Sequence, residues 1–430
     1  MPFNNITVYL IGIVNLVNIS LEMKLAKIFI FYFLLIIYSV EILLFFFTKE
    51  ELLSTETVMN KRIKIAKKMG INYDSRTPEE AFLDLKKTNK NLEPIFYYSP
   101  IFRFTKTFND AKKNNKLIPF RGPVNSKSLT CAEDLKYKLV NNDKFGFKNS
   151  NLIYEKNINS ILLGDSYAEG KCQNSENDIA GNLTKIGFNT VNLGVSGTST
   201  LVSLGIMREF GKFIKPKNFI YLYYEGNDLK GLDWEKNDEH LINYLKNDNY
   251  TVNYLKKYNE IKNYLKLSSS ESIYELKKPK KNIEKNNSKK IKENLIDILE
   301  LKKIKQIVRH NIFKTKYTKH NYDLNFYFSV VKKMNEEAKK LNGNFIFVYV
   351  PNYARYISYT NSIPAYLTEA FDLKEEILKE VKKLNIPVVD LMDFFDNAEN
   401  VEQYYPLGYI GHFNAKGYEK IADIISEKIK

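Results

Sequence analysis

Cysteine is scarce in this chain of 430 residues. There are two, Cys131 and Cys172, and they form neither a CxxC pair nor a Cys/His cluster with zinc spacing. A structural metal is therefore not expected, and nothing in the sequence calls for a cofactor. Two cysteines so far apart leave two readings open: free buried thiols, or one disulfide if the domain lies outside the cytoplasm. The chain also has no internal repeat and no single basic stripe with interleaved aromatics. The second absence matters because the formal charge is +15. The basic residues are scattered among Asn, Ile and Tyr, which reads as a solvated basic surface and excludes nucleic acid as the expected partner.

The hydrophobic fraction of 44% is that of a globular protein able to bury a sizeable core. One long apolar run stands out. Residues 28–48, IFIFYFLLIIYSVEILLFFFT, carry a single charge, Glu41. As a helix this run would be about 31 Å long, enough to span a bilayer. The TKEELLSTE that follows contains no A-x-A-like cleavage site, so the run reads as an uncleaved, single-pass anchor and not as a removed signal peptide. Residues 1–27 are an N-terminal lead, either a weak interfacial segment or sequence upstream of a true start at Met23. Glu41 is costly in hydrocarbon unless it snorkels to the interface or pairs with a partner helix, and its place about two turns from Thr48 favours snorkelling.

Residues 49–150 read as a helical stalk and a cover segment. MNKRIKIAKKMG ends a helix at Gly70, and Thr77-Pro78-Glu79-Glu80 opens another, with Thr as N-cap and Pro in the first turn. Residues 90–150 are rich in aromatics, Pro and short apolar runs, which suggests loops and short strands lying over the main domain. From Asn159 strands and helices alternate: NSILLGDS, a helix over 177–186, NTVNLG, a helix over 201–214, NFIYLYYE, a helix over 329–341, NFIFVYVP, a helix over 366–384, IPVVDLMD, and a last helix over 415–429. The strands are nearly continuous apolar runs, as expected for a parallel sheet covered on both faces. The fold class is thus α/β within a domain at 151–430, interrupted by a helical, lysine-rich insertion at 230–322. Its Lys/Asn-rich part, Lys277 to Asn294, is expected to be a solvated loop.

In an open α/β sheet ligands bind beyond the carboxyl ends of the strands. Four segments there carry chemistry. Gly164-Asp165-Ser166 follows the first strand, Gly194-Val195-Ser196-Gly197 the second and Glu225-Gly226-Asn227-Asp228 the third, while Gly411-His412-Phe413-Asn414 precedes the last helix. Singly each is weak. Together, in this order, they supply a serine, oxyanion donors and a histidine, the set that acyl transfer requires.

This set resembles the SGNH/GDSL hydrolase superfamily, with GDS at Ser166, a glycine at Gly197, EGND in place of GxND around Asn227, and His412 near the C-terminus. The resemblance covers about residues 159–428 apart from the insertion. It implies a flavodoxin-like, three-layer parallel sheet and an esterase or O-acyl transfer activity. By position, Ser166 is the nucleophile, Gly197 and Asn227 are oxyanion donors and His412 is the general base. DSRTPEE and DKFGFKN are similar to stretches in membrane-anchored members linked to surface polysaccharides. An ester or acylated glycan substrate, and a catalytic domain outside the cytoplasm, follow as expectations.

One departure is prominent. The family has Asp three residues before the His, and here that position is Tyr409. The sequence therefore predicts a Ser-His dyad, with a backbone carbonyl or water on the far imidazole nitrogen and Asp390 or Asp393 as alternatives. The missing acid also motivates a rival reading, a catalytically degenerate glycan-binding or assembly module. Finally, Cys172 lies just past the nucleophile turn and Cys131 in the cover segment. A bridge between them would hold the cover against the site and requires Cα atoms within about 7 Å.

Overall fold

The computed structural model describes residues 24–44, 55–97, 119–277, 295–296, 298–301, 304–305, 322–356 and 370–429. The chain divides into two compact units. One comprises Met1–Glu51 and Pro279–Thr318, the other Leu52–Lys278 and Lys319–Lys430.

In the larger unit the five apolar runs form one parallel sheet: β1 (Ser160–Leu163), β2 (Thr190–Asn192), β3 (Asn218–Tyr224), β4 (Asn344–Val350) and β5 (Val388–Asp390). The strand order is β2-β1-β3-β4-β5. This is the flavodoxin-like winding, and its direction reverses beside β1. Side chains alternate across the sheet with a period of two. Along β3, Phe219, Tyr221 and Tyr223 enter one core, while Ile220, Leu222 and Tyr224 enter the other. All seven residues of β3 are buried, so the continuous apolar run reflects helices on both faces.

Each face is covered by amphipathic helices. The last helix, Ala415–Ile429, places Tyr418, Ile421, Ala422, Ile425 and Ile429 at helical spacing into the core shared with Ile179 and Leu183. On the other face, helices Thr200–Ile214, Leu324–Lys340 and Lys374–Lys383 supply Leu204, Met207, Val330, Met334, Ile377 and Val381. Burial of each such side chain contributes about 1.5–3 kcal/mol. The helix expected over 366–384 begins at Lys374, after a tight turn at Phe371–Leu373, and residues 366–369 lie outside the described residues.

The stalk and cover belong to this unit. Thr55–Lys68 is helical, and Thr77 caps the helix Pro78–Thr88 in a reciprocal capping box with Glu80. The cover forms two short antiparallel pairs, 96–97 with 121–122 and 126–129 with 139–142. The insertion is divided between the units. Its first part forms helices Glu239–Lys246 and Tyr258–Lys277, and these, with Tyr254 from the turn between them, bury Tyr244, Tyr254, Ile261 and Leu265 in the main core beside Phe120. The Lys/Asn-rich stretch expected to be a solvated loop lies, after Lys277, outside the described residues.

In the smaller unit one helix, Lys24–Leu44, is long and apolar enough to cross a membrane. It starts four residues earlier than the span read from the sequence, and residues 1–23 and 45–48 lie outside the described residues. Of the two readings of Glu41, pairing and not snorkelling is the one the structure shows. Its side chain is fully buried and accepts a hydrogen bond from the Ile304 backbone N–H at 2.8 Å, while Tyr38 donates to the Leu299 carbonyl at 3.2 Å. A partner segment from the insertion, and not water at the interface, satisfies the carboxylate.

Candidate active site

β1 ends in a turn that only glycine permits. Gly164 has φ +136°, and a Cβ there would lie 2.7 Å from the Leu222 carbonyl oxygen. The chain then forms a single helical turn, Ser166–Glu169, capped by the Asp165 carboxylate, which accepts from the Tyr167 N–H at 2.8 Å. Asp165 is buried, and burial raises its pKa.

His412 reaches this turn from the loop before the last helix. Asn414 fixes that loop, donating to the carbonyls of Gln403 (2.8 Å) and Tyr405 (3.2 Å) and accepting from the Gly417 N–H (3.0 Å). The imidazole Nε2 lies 2.8 Å from Ser166 Oγ. Tyr167, stacked on Tyr224 with centroids 4.0 Å apart, packs 4.9 Å from the imidazole.

On the far side of the imidazole the structure departs from the sequence reading. Neither a carbonyl nor a water but a carboxylate meets Nδ1: Glu133 Oε2 lies at 3.0 Å, and the same oxygen accepts from the His412 backbone N–H at 2.7 Å. Burial pushes the Glu133 pKa up, but the neighbouring His412 and Arg62 more than offset it, so the acid is held well below the usual carboxylate range. An ionised Glu133 retains the proton on Nδ1 and leaves Nε2 free to accept from Ser166. The two alternatives sit elsewhere: Asp390 pairs with Lys374 at 2.7 Å, and Asp393 is exposed in the turn after β5.

Glu133 belongs to the cover segment, which is why a reading confined to the family's sequence blocks misses it. A signal was nevertheless present, because Cys131 lies two residues away. Cys131 and Cys172 form a disulfide with Cα atoms 4.8 Å apart, and the Cys172 N–H donates to Thr130 Oγ1 at 2.9 Å. The bridge fixes this part of the cover to the chain just after the nucleophile turn.

The cover also buttresses the second glycine loop. Arg121, fully buried, donates to Asn142 Oδ1 at 2.7 Å, to the Gly146 carbonyl, and to Glu169 Oε1 at 3.0 Å. The other Glu169 oxygen accepts from the Ser196 N–H at 2.9 Å and from the Ser196 hydroxyl. Burial raises the Glu169 pKa, but Arg121, Lys171 and Lys148 together leave it lowered. Gly197, next in sequence, has φ +73°. In the DKFGFKN stretch, Lys148 donates to the Glu169 and Gly170 carbonyls and Asn149 to the Asn192 carbonyl.

Asn227 stands at the N-cap of helix Asp228–Glu235. Its side chain lies beside Asp165, next to Ser166, and acts to lower the pKa of that carboxyl, while its buried Oδ1 has no hydrogen-bond partner. The Glu225 substitution in this motif has a structural account. Its fully buried carboxylate accepts from the Asn352 N–H (3.0 Å), Arg355 Nε (2.8 Å), Arg355 Nη2 (2.5 Å) and Tyr349 OH, tying the end of β3 to the end of β4. The structure therefore gathers Ser166, His412 and Glu133 into one hydrogen-bonded line, with Asn227 beside it at the point where the strand order reverses.

Solved structures that this chain resembles in fold include proteins named as lipases, acylhydrolases and esterases. They include a GDSL-like lipase from Bacteroides thetaiotaomicron (14% identity, 64% of this chain and 89% of that one, TM-score 0.31). Others are a lipase/acylhydrolase from Enterococcus faecalis (13%, 63% and 95%, TM-score 0.32) and a catalytic mutant of an acetylxylan esterase from Geobacillus stearothermophilus (12%, 63% and 94%, TM-score 0.32). No protein-family model and no curated protein matches the chain.

Proposed function

We propose that the chain is a serine esterase or O-acyltransferase working through an acyl-serine intermediate. The observation that carries this reading is the line from Ser166 Oγ to His412 Nε2 (2.8 Å) and from His412 Nδ1 to Glu133 (3.0 Å). In the first step the Ser166 hydroxyl gives its proton to Nε2 while Oγ forms a bond to the ester carbonyl carbon, and the carbonyl π electrons move to oxygen. The N–H groups of Ser166 and Gly197 and the amide of Asn227 receive the oxyanion. For that task the Asn227 amide must turn from Asp165 toward the substrate. Collapse breaks the bond to the leaving alkoxide, which takes the proton from His412. Water or a sugar hydroxyl then repeats the sequence in reverse on the acyl-serine.

The finer reading is a single-pass membrane protein whose catalytic domain faces an oxidising compartment and acts on an acylated envelope polysaccharide. A helix of membrane-spanning length and a disulfide between Cys131 and Cys172 support the compartment. The rival, a degenerate binding or assembly module, drew its motive from the missing acid. Glu133 removes that motive.

Turnover of a small activated acetyl ester tests the proposal. Wild-type protein should hydrolyse it and Ser166→Ala should not, with the same thermal unfolding profile. Equal turnover by both proteins would remove Ser166 from the chemistry.

A further inference from the structure

The helix Thr55–Lys68 looks from sequence like a spacer between anchor and enzyme, yet it touches the catalytic line directly. Arg62, its side chain 10% exposed, donates through Nη2 to the Ile410 carbonyl at 2.5 Å and lies 3.5 Å from Glu133 Oε1. The next residue of that loop is Gly411, where a Cβ would lie 2.6 Å from Glu133 Oε2 and 2.9 Å from Arg62 Nη2. Helix, acid and histidine loop therefore meet with no room for another carbon. Lys61 lies over the Tyr409 ring, 5.7 Å from its centroid, at the position where the family carries its Asp. This chain uses that position to dock the loop on the helix and takes its acid from the cover.

We propose that Arg62 is a positioning residue for the reaction, holding the Glu133 carboxylate and the His412 loop in register, so that the helix Thr55–Lys68 forms part of the active site. The inference rests on the Ser166–His412–Glu133 reading above. Its physical basis is the guanidinium fork, which can reach a carbonyl and a carboxylate together, whereas a lysine ammonium on the same helix cannot hold both in fixed geometry. The cation also has an electrostatic effect: a fixed positive charge beside Glu133 helps keep that carboxylate ionised. The titratable groups facing this point are Glu133, His412, Tyr73, Tyr418 and the buried Asp165, and burial keeps the two phenols neutral near pH 7.

The test measures kcat, KM and the pH profile of kcat for acetyl ester hydrolysis by the full-length chain and by Arg62→Lys, Arg62→Gln and Arg62→Ala. Thermal unfolding and labelling of Ser166 by a fluorophosphonate are followed alongside. Arg62→Gln and Arg62→Ala should lose about tenfold or more in kcat with KM nearly unchanged, consistent with a misplaced base. The acid limb of their profile should move to higher pH, because Glu133 loses one of the cations that hold its pKa down. Arg62→Lys should keep the wild-type limb and lose part of kcat. Two results would overturn the inference: wild-type kinetics in Arg62→Gln, or equal losses in all three variants with an unmoved limb, which packing alone would produce. A wild-type protein that neither turns over the ester nor labels at Ser166 would instead overturn the functional reading itself, and this inference with it.

Discussion

Glu133 Oε2 lies 3.0 Å from His412 Nδ1 although the two residues are 279 positions apart in the chain. The same oxygen also accepts the His412 N–H, so one carboxylate fixes the ring and the backbone that carries it. Replacement of Glu133 by Gln keeps the shape and can present an N–H to Nδ1, which would force the ring proton onto Nε2. The imidazole could then no longer accept the Ser166 proton. Glu133→Gln should therefore lower kcat by about 10²–10⁴-fold with little change in KM, and should be no milder than Glu133→Ala. Steady-state kinetics on an activated acetyl ester decides this, and a kcat within threefold of wild type would remove Glu133 from the mechanism.

Asn227 is the group whose present contacts suit its expected role least directly. Its side chain lies beside Asp165 and leaves Oδ1 buried without a hydrogen-bond partner. If the amide turns to the oxyanion during reaction, Asn227→Ala should reduce kcat by about 10²–10³-fold and slow phosphonylation of Ser166 by a fluorophosphonate to a similar degree. Unchanged kcat would confine Asn227 to capping and packing.

Asp228 gives a stability prediction with a definite sign. Its Oδ2 accepts from the Tyr221 hydroxyl (3.1 Å) and the Tyr224 N–H (3.0 Å), and its buried Oδ1 has no partner. Burial and then the nearby Asp165 raise its pKa well above the ordinary value of 3.8. The folded state thus holds a proton that the unfolded chain releases. The stability contributed by this group is complete below the ordinary Asp range and is lost as pH rises toward the elevated folded value. Asp228→Asn, which mimics the neutral acid, should flatten that fall in chemical denaturation measured across pH 4–8. A wild-type profile that rises by the same amount as the variant's over that range would contradict it.

The parallel sheet was legible because strands buried on both faces leave an unbroken apolar signature, as Phe219–Tyr224 does, whereas the winding of its strands was only what the resemblance implied. Ser166, Asn227 and His412 were legible because each sits in a short motif at a strand end or before the last helix. Glu133 was not, because its only local signal is the neighbouring Cys131, and pairing across 41 residues is a tertiary fact. Arg62 was hidden for a similar reason: a lysine- and arginine-rich helix gives no sign of which cation is turned inward. Glu41 was misread as snorkelling because the segment that satisfies it, at Ile304, lies in the insertion. In each case a polar side chain found its partner through chain crossings that periodicity and spacing do not encode.

The disulfide provides the most direct test of how the acid is held. Cys131 and Cys172 enclose a separation of 41 residues, and closing a loop of that length stabilises the folded state by about 4 kcal/mol in the chain-entropy treatment. The bridge also places Glu133 two residues from a covalent tie to the nucleophile segment. Its removal should act in two separable ways. Cys131→Ser with Cys172→Ser should lower the unfolding midpoint, and at temperatures well below that midpoint it should still lower kcat, because Glu133 then keeps its place through noncovalent contacts only. Labelling of Ser166 by a fluorophosphonate should slow in parallel, while a variant already lacking the acid, Glu133→Ala, should show no further loss of kcat when the cysteines are replaced. Additive losses in that triple variant would mean that the bridge supports the site by another route, and an unchanged kcat in the double serine variant would leave it a stabilising clamp without influence on the catalytic line.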